Sequence, residues 1–577
     1  MLRNCINFFR RETGLVLIVG LFVLLAGTGI FYNFGLTTTV NDETPPFVAA
    51  LKMISDHTLR PAYPTFYYLP VVAYAQLPFA VLAIFSLPLL GVATSVDAIR
   101  EFVILDFAKL LPFARLASMC YGALALVVFY RIAQRLFARR RVVVFAVSFF
   151  AMSSLFVQLA HFGRVWSLQL LMFMLVLWAA LRLLDEPTVR RYLFGGMSIA
   201  LSFGINTIGV LAYIPFFVAH ILRNRGRSFA QIFLHHGFLL AHSLMFGALL
   251  VFYYLNPYGL ENYLGYIKNF FATINGSSDT MGVASRGGTH FCGGGQMDAA
   301  TYYVRTLFAH EFFLSLLALC GALLFRWRFF EDKRSEVIVL GCFLVAYFLG
   351  ITALSIFGIV NCEPRYILPV IPVLALLGAF GMNTLLERVL PQFHLFLTVL
   401  VFVAMLYGPI VFDVRLSLPS TRLGAREWIL QNIPDGKGII NFDEKLELPE
   451  DSITLGRMRA GAPERMTVKR AHLALHPEKI NIPAYFVYNP TFGEYGSGEK
   501  FEYIILSWWR PESRKAQLEQ ITRLGFSQGA KRVFIFPANA NKNTRSLELA
   551  NNEATLLDLW GLKQNGPTIE VLQIEQK

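Results

Sequence analysis

The chain reads as an all-α polytopic membrane bundle of about eleven spans followed by a small extracytoplasmic α/β domain, and three observations predict this. First, 55% of its 577 residues are hydrophobic and only 15% are charged, a balance far from that of a globular core and close to that of a chain whose main solvent is lipid. Second, Phe, Leu and Val recur in runs of about eighteen or more, the length a helix needs to cross about 30 Å of hydrocarbon. Third, after Asp413 the long apolar runs stop and charges of both signs become frequent.

The spans fall, in order, near 15–36, 112–134, 141–160, 166–184, 192–206, 207–222, 229–255, 304–325, 336–360, 365–386 and 393–413. The basic residues sort the connecting loops. Arg3, Arg10 and Arg11, the cluster Arg131 to Arg141, Arg182 to Arg191, Arg223 to Arg227 and Arg326 to Arg334 occupy one set of loops, which the positive-inside rule places in the cytoplasm. Two choices follow from keeping those clusters together. The apolar stretch 65–91 is expected to lie at or dip into the outer surface. The stretch 192–222, too long for one untilted span, is expected to form a short hairpin with Asn206 near its outer tip. The first span follows basic residues as a signal peptide would, but it shows no small-residue cleavage site and is expected to stay as an anchor.

Residues 1–413 therefore form the transmembrane domain, with outer loops at 37–111 and 256–303, and residues 414–577 form a soluble domain on the same side as Asp42. In the latter, short β-like runs (GKGIINF, AYFVY, FEYIILSW, RVFIF, TIEVLQI) alternate with helical patterns (TRLGAREWILQNI, SRKAQLEQITRLGF), which predicts a small α/β fold. The loop 256–303 carries NGSSD, SRGGTHF and CGGGQ; a connection this long without its own secondary structure is more often a lid or binding loop than an idle link. Cys292 and Cys362 both fall in outer loops, where an oxidising compartment would allow them to pair. The net charge of +13 sits in short clusters between apolar runs, without the basic face that nucleic-acid binding requires. The lipid bilayer is the partner it fits. A bacterial cytoplasmic (inner) membrane is the expected location, since the sequence shows no endomembrane retention signal.

Several stretches, taken together and in order, carry a resemblance. NDETPPFVAALKMI followed by YPTFYYLPVVAY, then LPFARLASMCYGALALVVFYRIAQRLFARR, HFGRVWSLQLLMF, EPRYILPVIPVLALLGAF, TRLGAREWILQNIPDG and LWGLKQNGPTIEVLQI resemble the GT-C class of membrane glycosyltransferases, in the branch of protein O-mannosyltransferases and lipid A aminoarabinose transferases. The resemblance implies transfer of a sugar from a polyprenyl-phosphate-linked donor to an acceptor (protein, glycan or lipid) on the extracytoplasmic side, with inversion. Two positions depart from the family pattern. Trp166 stands where relatives often carry an acidic residue, and Asn206 where a lysine is common near the hairpin tip. No metal ligand set and no cofactor is firmly implied; a divalent metal has no support in the residue spacing.

Such a transfer needs a base for the acceptor proton, cations for the departing lipid phosphate and a groove for the isoprenoid chain. One carboxylate suffices when configuration inverts, because the phosphate leaves without a general acid. Asp42 is the candidate base with Glu43 second; the bland alternative is that Asp42 caps the helix beginning near Pro45 with Glu43 in its first turn. Arg365, flanked by Glu363 and Tyr366, is the candidate phosphate partner, because a guanidinium presents a planar fork of donors to phosphate oxygens. Its alternative role is to snorkel to headgroups. His57, Arg60, Tyr63, Lys109, His161 and Arg164 fall on the outer side and are candidates for a polar cavity. A transporter or lipid flippase, and a non-catalytic scaffold of the same fold, are the rival readings; a transporter would need polar or broken helices at mid-membrane.

Overall fold

A computed structural model describes residues 12–34, 36, 43–61, 68–261, 264–265, 296–325, 331–356, 360, 362–461, 463, 466–490, 500–525, 530–538, 549 and 553–574. The predicted positions Asp42, Tyr63 and Cys292, and nearly all of the glycine-rich loop, lie outside them. Two compact units emerge: one comprises 1–30, 42–82 and 113–410, the other 31–41, 83–112 and 411–577.

The first unit is helical. Its elements are α1 (Thr13–Gly27), α2 (Thr44–Ser55), α3 (Pro70–Leu89), whose last turns belong to the second unit together with α4 (Val96–Leu105), then α5 (Leu111–Leu136), α6 (Arg140–Ala151), α7 (Ser154–Ala160), α8 (Trp166–Asp185), α9 (Val189–Ile205), α10 (Tyr213–Arg223), α11 (Phe229–Phe233), α12 (His236–Leu255), α13 (Gln296–His310), α14 (Phe312–Leu323), α15 (Arg334–Ile356), α16 (Ile371–Arg388) and α17 (His394–Ser417). Among the described residues, seven helices are long and apolar enough to cross a membrane, or nine when two bent pairs are each counted as one span. The chain is an integral, multi-pass membrane protein. Eight of these nine fall on expected spans, and the shorter helices α1, α9 and α10 fall on the remaining three; the ninth, α3, has the length and composition of a crossing, in the stretch 65–91 that charge parity lays along the outer surface.

The breaks have local causes. Between α9 and α10, Asn206 adopts an extended backbone and its side-chain oxygen accepts from the Ile208 amide at 3.2 Å, opening a 3-10 turn over Thr207–Ala212. Gly209 then lies so close to the last turn of α9 that a Cβ there would fall 2.1 Å from the Ser202 carbonyl oxygen. The bent pair α6 and α7 (54°) and the bent pair α13 and α14 (108°) meet at Glu311, which sits at the second bend and is fully buried. Glu311 accepts from the Ser153 hydroxyl at 2.6 Å and the Leu155 amide at 2.7 Å, supplying an acceptor to backbone donors that the break in the helix leaves over.

Small residues bring α14 and α16 together. A Cβ on Gly321 would sit 2.0 Å from the Leu377 carbonyl oxygen, and one on Gly381 would sit 2.7 Å from the Gly321 nitrogen, so the two backbones touch where side chains would hold them apart.

The second unit carries the sheet. Its strands are β1 (Gly438–Asn441), β2 (Phe486–Tyr488), β3 (Tyr503–Trp508), β4 (Ala530–Phe536) and β5 (Thr568–Ile574), in the order β2-β1-β3-β5-β4. β1 runs parallel to β2 and β3; β5 runs antiparallel to β3 and β4. All five fall on the β-like runs read from the sequence, and α18 (Thr421–Asn432) and α21 (Pro511–Arg523) fall on the two helical patterns; α19 (Ser452–Gly461) and α20 (Val468–Leu475) lie between these two, and α22 (Leu556–Gly561) precedes β5. Alternation splits the sheet's apolar residues between two cores, one around Ile439, Ile505 and Val571 and one around Ile440, Ile504 and Leu572.

Cys362 is disulfide-bonded, whereas Cys120, Cys320 and Cys342 are free.

Replacing Gly321 by Leu is expected to destabilise the bundle by at least the roughly 1–3 kcal/mol of ordinary overpacking. A thermal melt in detergent should show a lowered midpoint, and Gly341→Leu, at a position with open space around it, should leave that midpoint in place.

Candidate active site

The site begins with a buried ion pair. Pro45 and Pro46 start α2 by fixing φ in its first turn, which leaves Glu43 at the entry of the helix without a capping bond to it. Its carboxylate turns inward. The Arg115 Nε donates to one oxygen at 2.8 Å and Nη2 to the other at 3.1 Å, and both side chains are almost wholly buried. The remaining Arg115 nitrogen donates to the Ile30 carbonyl at 2.9 Å. Buried charge is tolerated only with this degree of pairing.

The same carboxylate holds a turn. The Gly163 amide donates to Glu43 at 2.8 Å, and a Cβ on Gly163 would collide with Ala114 at 2.7 Å and with the Glu43 side chain at 3.0 Å. Only glycine allows this approach. Residues 161–165 are thereby fixed between α7 and α8, and a hydrogen bond of 3.0 Å from Ser118 to Ser167 ties the first turn of α8 to α5. Arg164 and Trp166 follow from that fixed point.

From the other side comes Pro364–Val370, a 3-10 turn that leads into α16. Arg365 is buried there, with Glu363 Oε2 2.5 Å from its Nε. Its guanidinium lies over the Trp166 ring at 5.8 Å, and Trp166 meets Tyr366 edge-on at 5.3 Å. The Tyr366 carbonyl accepts from the buried Tyr347 hydroxyl at 2.8 Å, which pins this turn against α15.

These pieces enclose a cavity of about 190 Å³ lined by Tyr68, Arg164, Val165, Trp166, Asn206, Glu363, Arg365 and Tyr366. Among the described residues, two arginines and one glutamate line it, and guanidinium groups suit an anion with several oxygens. Opposite ends of the same helices differ in chemistry. α8 begins at the cavity and ends at Asp185, which accepts from Arg135 at 2.6 Å; α16 begins beside the cavity and ends where Arg141 donates to Asn383 at 2.6 Å and Arg139 pairs with Glu387. At 1.5 Å per residue, those two ends are about 30 Å apart, one hydrocarbon thickness.

Residues 106–251 match the family model described as dolichyl-phosphate-mannose-protein mannosyltransferase. That segment contains Arg115, Gly163, Arg164, Trp166 and Asn206. The match spans about a quarter of the chain and shows what that segment is similar to. No curated protein matches the chain. The structure is similar to that of ArnT from Cupriavidus metallidurans bound to undecaprenyl phosphate (12% identity, 96% of this chain and 97% of that chain, TM-score 0.46) and to the apo oligosaccharyltransferase of Archaeoglobus fulgidus (13% identity, 86% and 70%, TM-score 0.47). Neither overlap is close enough to carry an argument.

Four of the residues singled out in the sequence converge on the cavity: Arg164, Glu363, Arg365 and Tyr366. Both departures from the family pattern, Trp166 and Asn206, line it as well. Glu43 does not face it as a solvated base would; both its oxygens are engaged by Arg115 and Gly163. His161 is buried, its Nδ1 2.7 Å from the Val157 carbonyl. His57 and Arg60 are exposed beyond α2, Arg60 over the Tyr254 ring at 4.8 Å. Lys109 belongs to the second unit and pairs with Asp106 at 3.1 Å. Sequence reasoning missed Arg115 as the partner of Glu43. Its place in LPFARLAS gave a signal, because an arginine in the first turn of an apolar helix needs a counter-charge once buried. Among the described residues, no group of three or more His, Cys, Asp or Glu is arranged to hold a metal ion.

Glu43→Leu is expected to cost about 3–5 kcal/mol, the penalty of a buried unpaired partner. The double variant Glu43→Leu with Arg115→Met should recover much of that loss in a denaturation cycle; equal or additive losses would mean that the pair does not couple these segments.

Proposed function

We propose that the chain transfers a sugar from a polyprenyl-phosphate-linked donor to an acceptor hydroxyl or amine, with the donor's phosphate seated between Arg164 and Arg365. The observation that carries this reading is the convergence of those two guanidiniums, 201 positions apart in the sequence, on one cavity at a helix end. The bond between the anomeric carbon and the phosphate oxygen breaks, the lipid phosphate departs with the electron pair, and the acceptor's heteroatom forms the new bond with inversion. Cations held in place before the reaction stabilise the charge that develops on the leaving group. Asp42 is the base that takes the acceptor proton. Its neighbour Glu43 is a positioning residue: it fixes the turn that presents Arg164.

The cavity faces the extracytoplasmic side in this reading. The arginine-rich ends of α8 and α16 lie opposite it and belong to the cytoplasm by the positive-inside rule. The disulfide at Cys362, one residue before Glu363, fits an oxidising compartment at the cavity end. A bacterial inner membrane, with residues 414–577 outside, is the matching location.

The broken pairs α6–α7 and α13–α14 are features a transporter would also use. Their junction at Glu311, however, is closed by hydrogen bonds from Ser153 and Leu155, and among the described residues the one carboxylate lining the cavity is paired with Arg365. This favours transfer chemistry over passage of a solute.

Arg164→Ala and Arg365→Ala are each expected to weaken binding of a polyprenyl phosphate about 10- to 100-fold, the worth of one charge-assisted hydrogen-bonding group; unchanged affinity in both would place the phosphate elsewhere. Asp42→Asn should lower transfer about 10²- to 10⁴-fold at normal expression, as loss of a general base does. Mass analysis of lipid-linked sugars and glycoconjugates from cells with and without the protein reads the reaction itself. Accumulated donor and one missing glycoconjugate are expected in its absence, and identical profiles would refute transfer.

A further inference from the structure

Outside the cavity, the second unit shows an apolar surface that the transfer reaction does not use. α22 is short, and its side chains divide sharply. Leu559 is fully buried and Leu562, just beyond, is 2% exposed, whereas Leu557 and Trp560 are 82% and 65% exposed. Three residues apart, the latter two share one face of the helix. A capping box fixes where that helix starts: Thr555 and Asp558 exchange hydrogen bonds at its N-terminus, from the Asp558 amide to the Thr555 hydroxyl at 3.2 Å and from the Thr555 amide to the Asp558 carboxylate at 2.9 Å. The outward aim of Leu557 and Trp560 is therefore built into the fold.

What lies beside them names the occupant. The Leu559 carbonyl accepts from Arg415 Nε at 3.3 Å, and Arg415 is in the last turn of α17, an apolar helix long enough to cross the membrane. The neighbouring side chains Val414 and Leu418 are 56% and 39% exposed. On the other flank, Asn565 is hydrogen-bonded to the Tyr32 hydroxyl, and Tyr32 sits between Phe31 and Phe34, which are 65% and 45% exposed and pack edge-on at 5.9 Å. These residues follow α1, the first apolar helix. Within the second unit, these exposed aromatic and aliphatic groups thus accompany the residues at which the chain leaves α1 and α17, with Lys563 exposed beside them.

We propose that Leu557 and Trp560, together with Phe31 and Phe34, are an interfacial anchor that inserts into the headgroup and upper acyl region of the bilayer. The partner is a lipid surface. Trp suits this depth because its ring is apolar and its N–H is polar, and a lysine at the rim reaches phosphate oxygens while its stem stays in the apolar layer. Left in water, so many contiguous large apolar groups would invite association; at the interface they fix the height of the soluble unit relative to the membrane. Such an anchor bears on function without touching substrate, because it limits how far that unit can lift from the lipid.

Trp560 is one of seven tryptophans, so its environment is read by difference. The full-length protein and Trp560→Phe, a variant that keeps an aromatic ring, are reconstituted in nanodiscs of ordinary phosphatidylcholine and of phosphatidylcholine brominated near the headgroup end of its chains. The emission that Trp560 contributes, wild type minus variant, should be quenched at least threefold by the brominated lipid and little by acrylamide in the aqueous phase. Strong quenching by acrylamide with none by brominated lipid would overturn the proposal by placing Trp560 in water. Quenching by neither would overturn it too, since a protein surface would then cover the patch.

Discussion

A single buried carboxylate organises the candidate site. Glu43 is joined to Arg115 on α5 and to the backbone of Gly163 in the turn before α8, so three segments far apart in sequence meet at one charge. In an apolar surrounding, neither partner tolerates separation: the interaction is strong because water is absent, and its loss is costly for the same reason. The turn it holds carries Arg164 and leads directly into Trp166. Position, more than intrinsic reactivity, is what Glu43 contributes.

Around that point, the bundle trades regular helix for placed polar groups. Helices in lipid keep their backbone hydrogen bonds because no water is there to replace them, yet here α6–α7 and α13–α14 bend and the helix is interrupted at Asn206. Each interruption is repaired locally. Glu311 accepts from Ser153 and Leu155 at one, and the Asn206 side chain accepts from Ile208 at another. The result is a polar cavity at one end of α8 and α16 while the other end of both helices is held by ion pairs and hydrogen bonds of Arg135, Arg139 and Arg141. Arginines therefore stand at both ends of these helices, lining the cavity at one and paired with Asp185, Glu387 and Asn383 at the other.

Much of this was legible in the amino acids. Short β-like runs set between helical patterns marked all five strands of the sheet. Run length marked the long helices. HFGRVW and EPRY stood out separately, and Trp166 and Asn206 stood out as departures. What linear order withheld was distance. Nothing in the chain says that Arg164, Asn206 and Arg365 share a cavity, or that Glu43 has Arg115 as its partner rather than water. The tight turn that holds His161 and Arg164 set them slightly ahead of His57, Arg60 and Lys109, and packing separates Arg164 from the rest. α3 shows where two signals differ: charge parity lays 65–91 along the outer surface, whereas its length and apolar character are those of a segment that could cross.

The central claim is that Arg164 and Arg365 together receive a lipid-linked phosphate. A cryo-EM structure of the protein in nanodiscs supplied with a polyprenyl phosphate tests it most directly. Phosphate density within hydrogen-bonding reach of both guanidiniums, with Glu43 still closed on Arg115 and Gly163, is the expected result. Phosphate density bound elsewhere on the chain, with this cavity empty, would contradict the account.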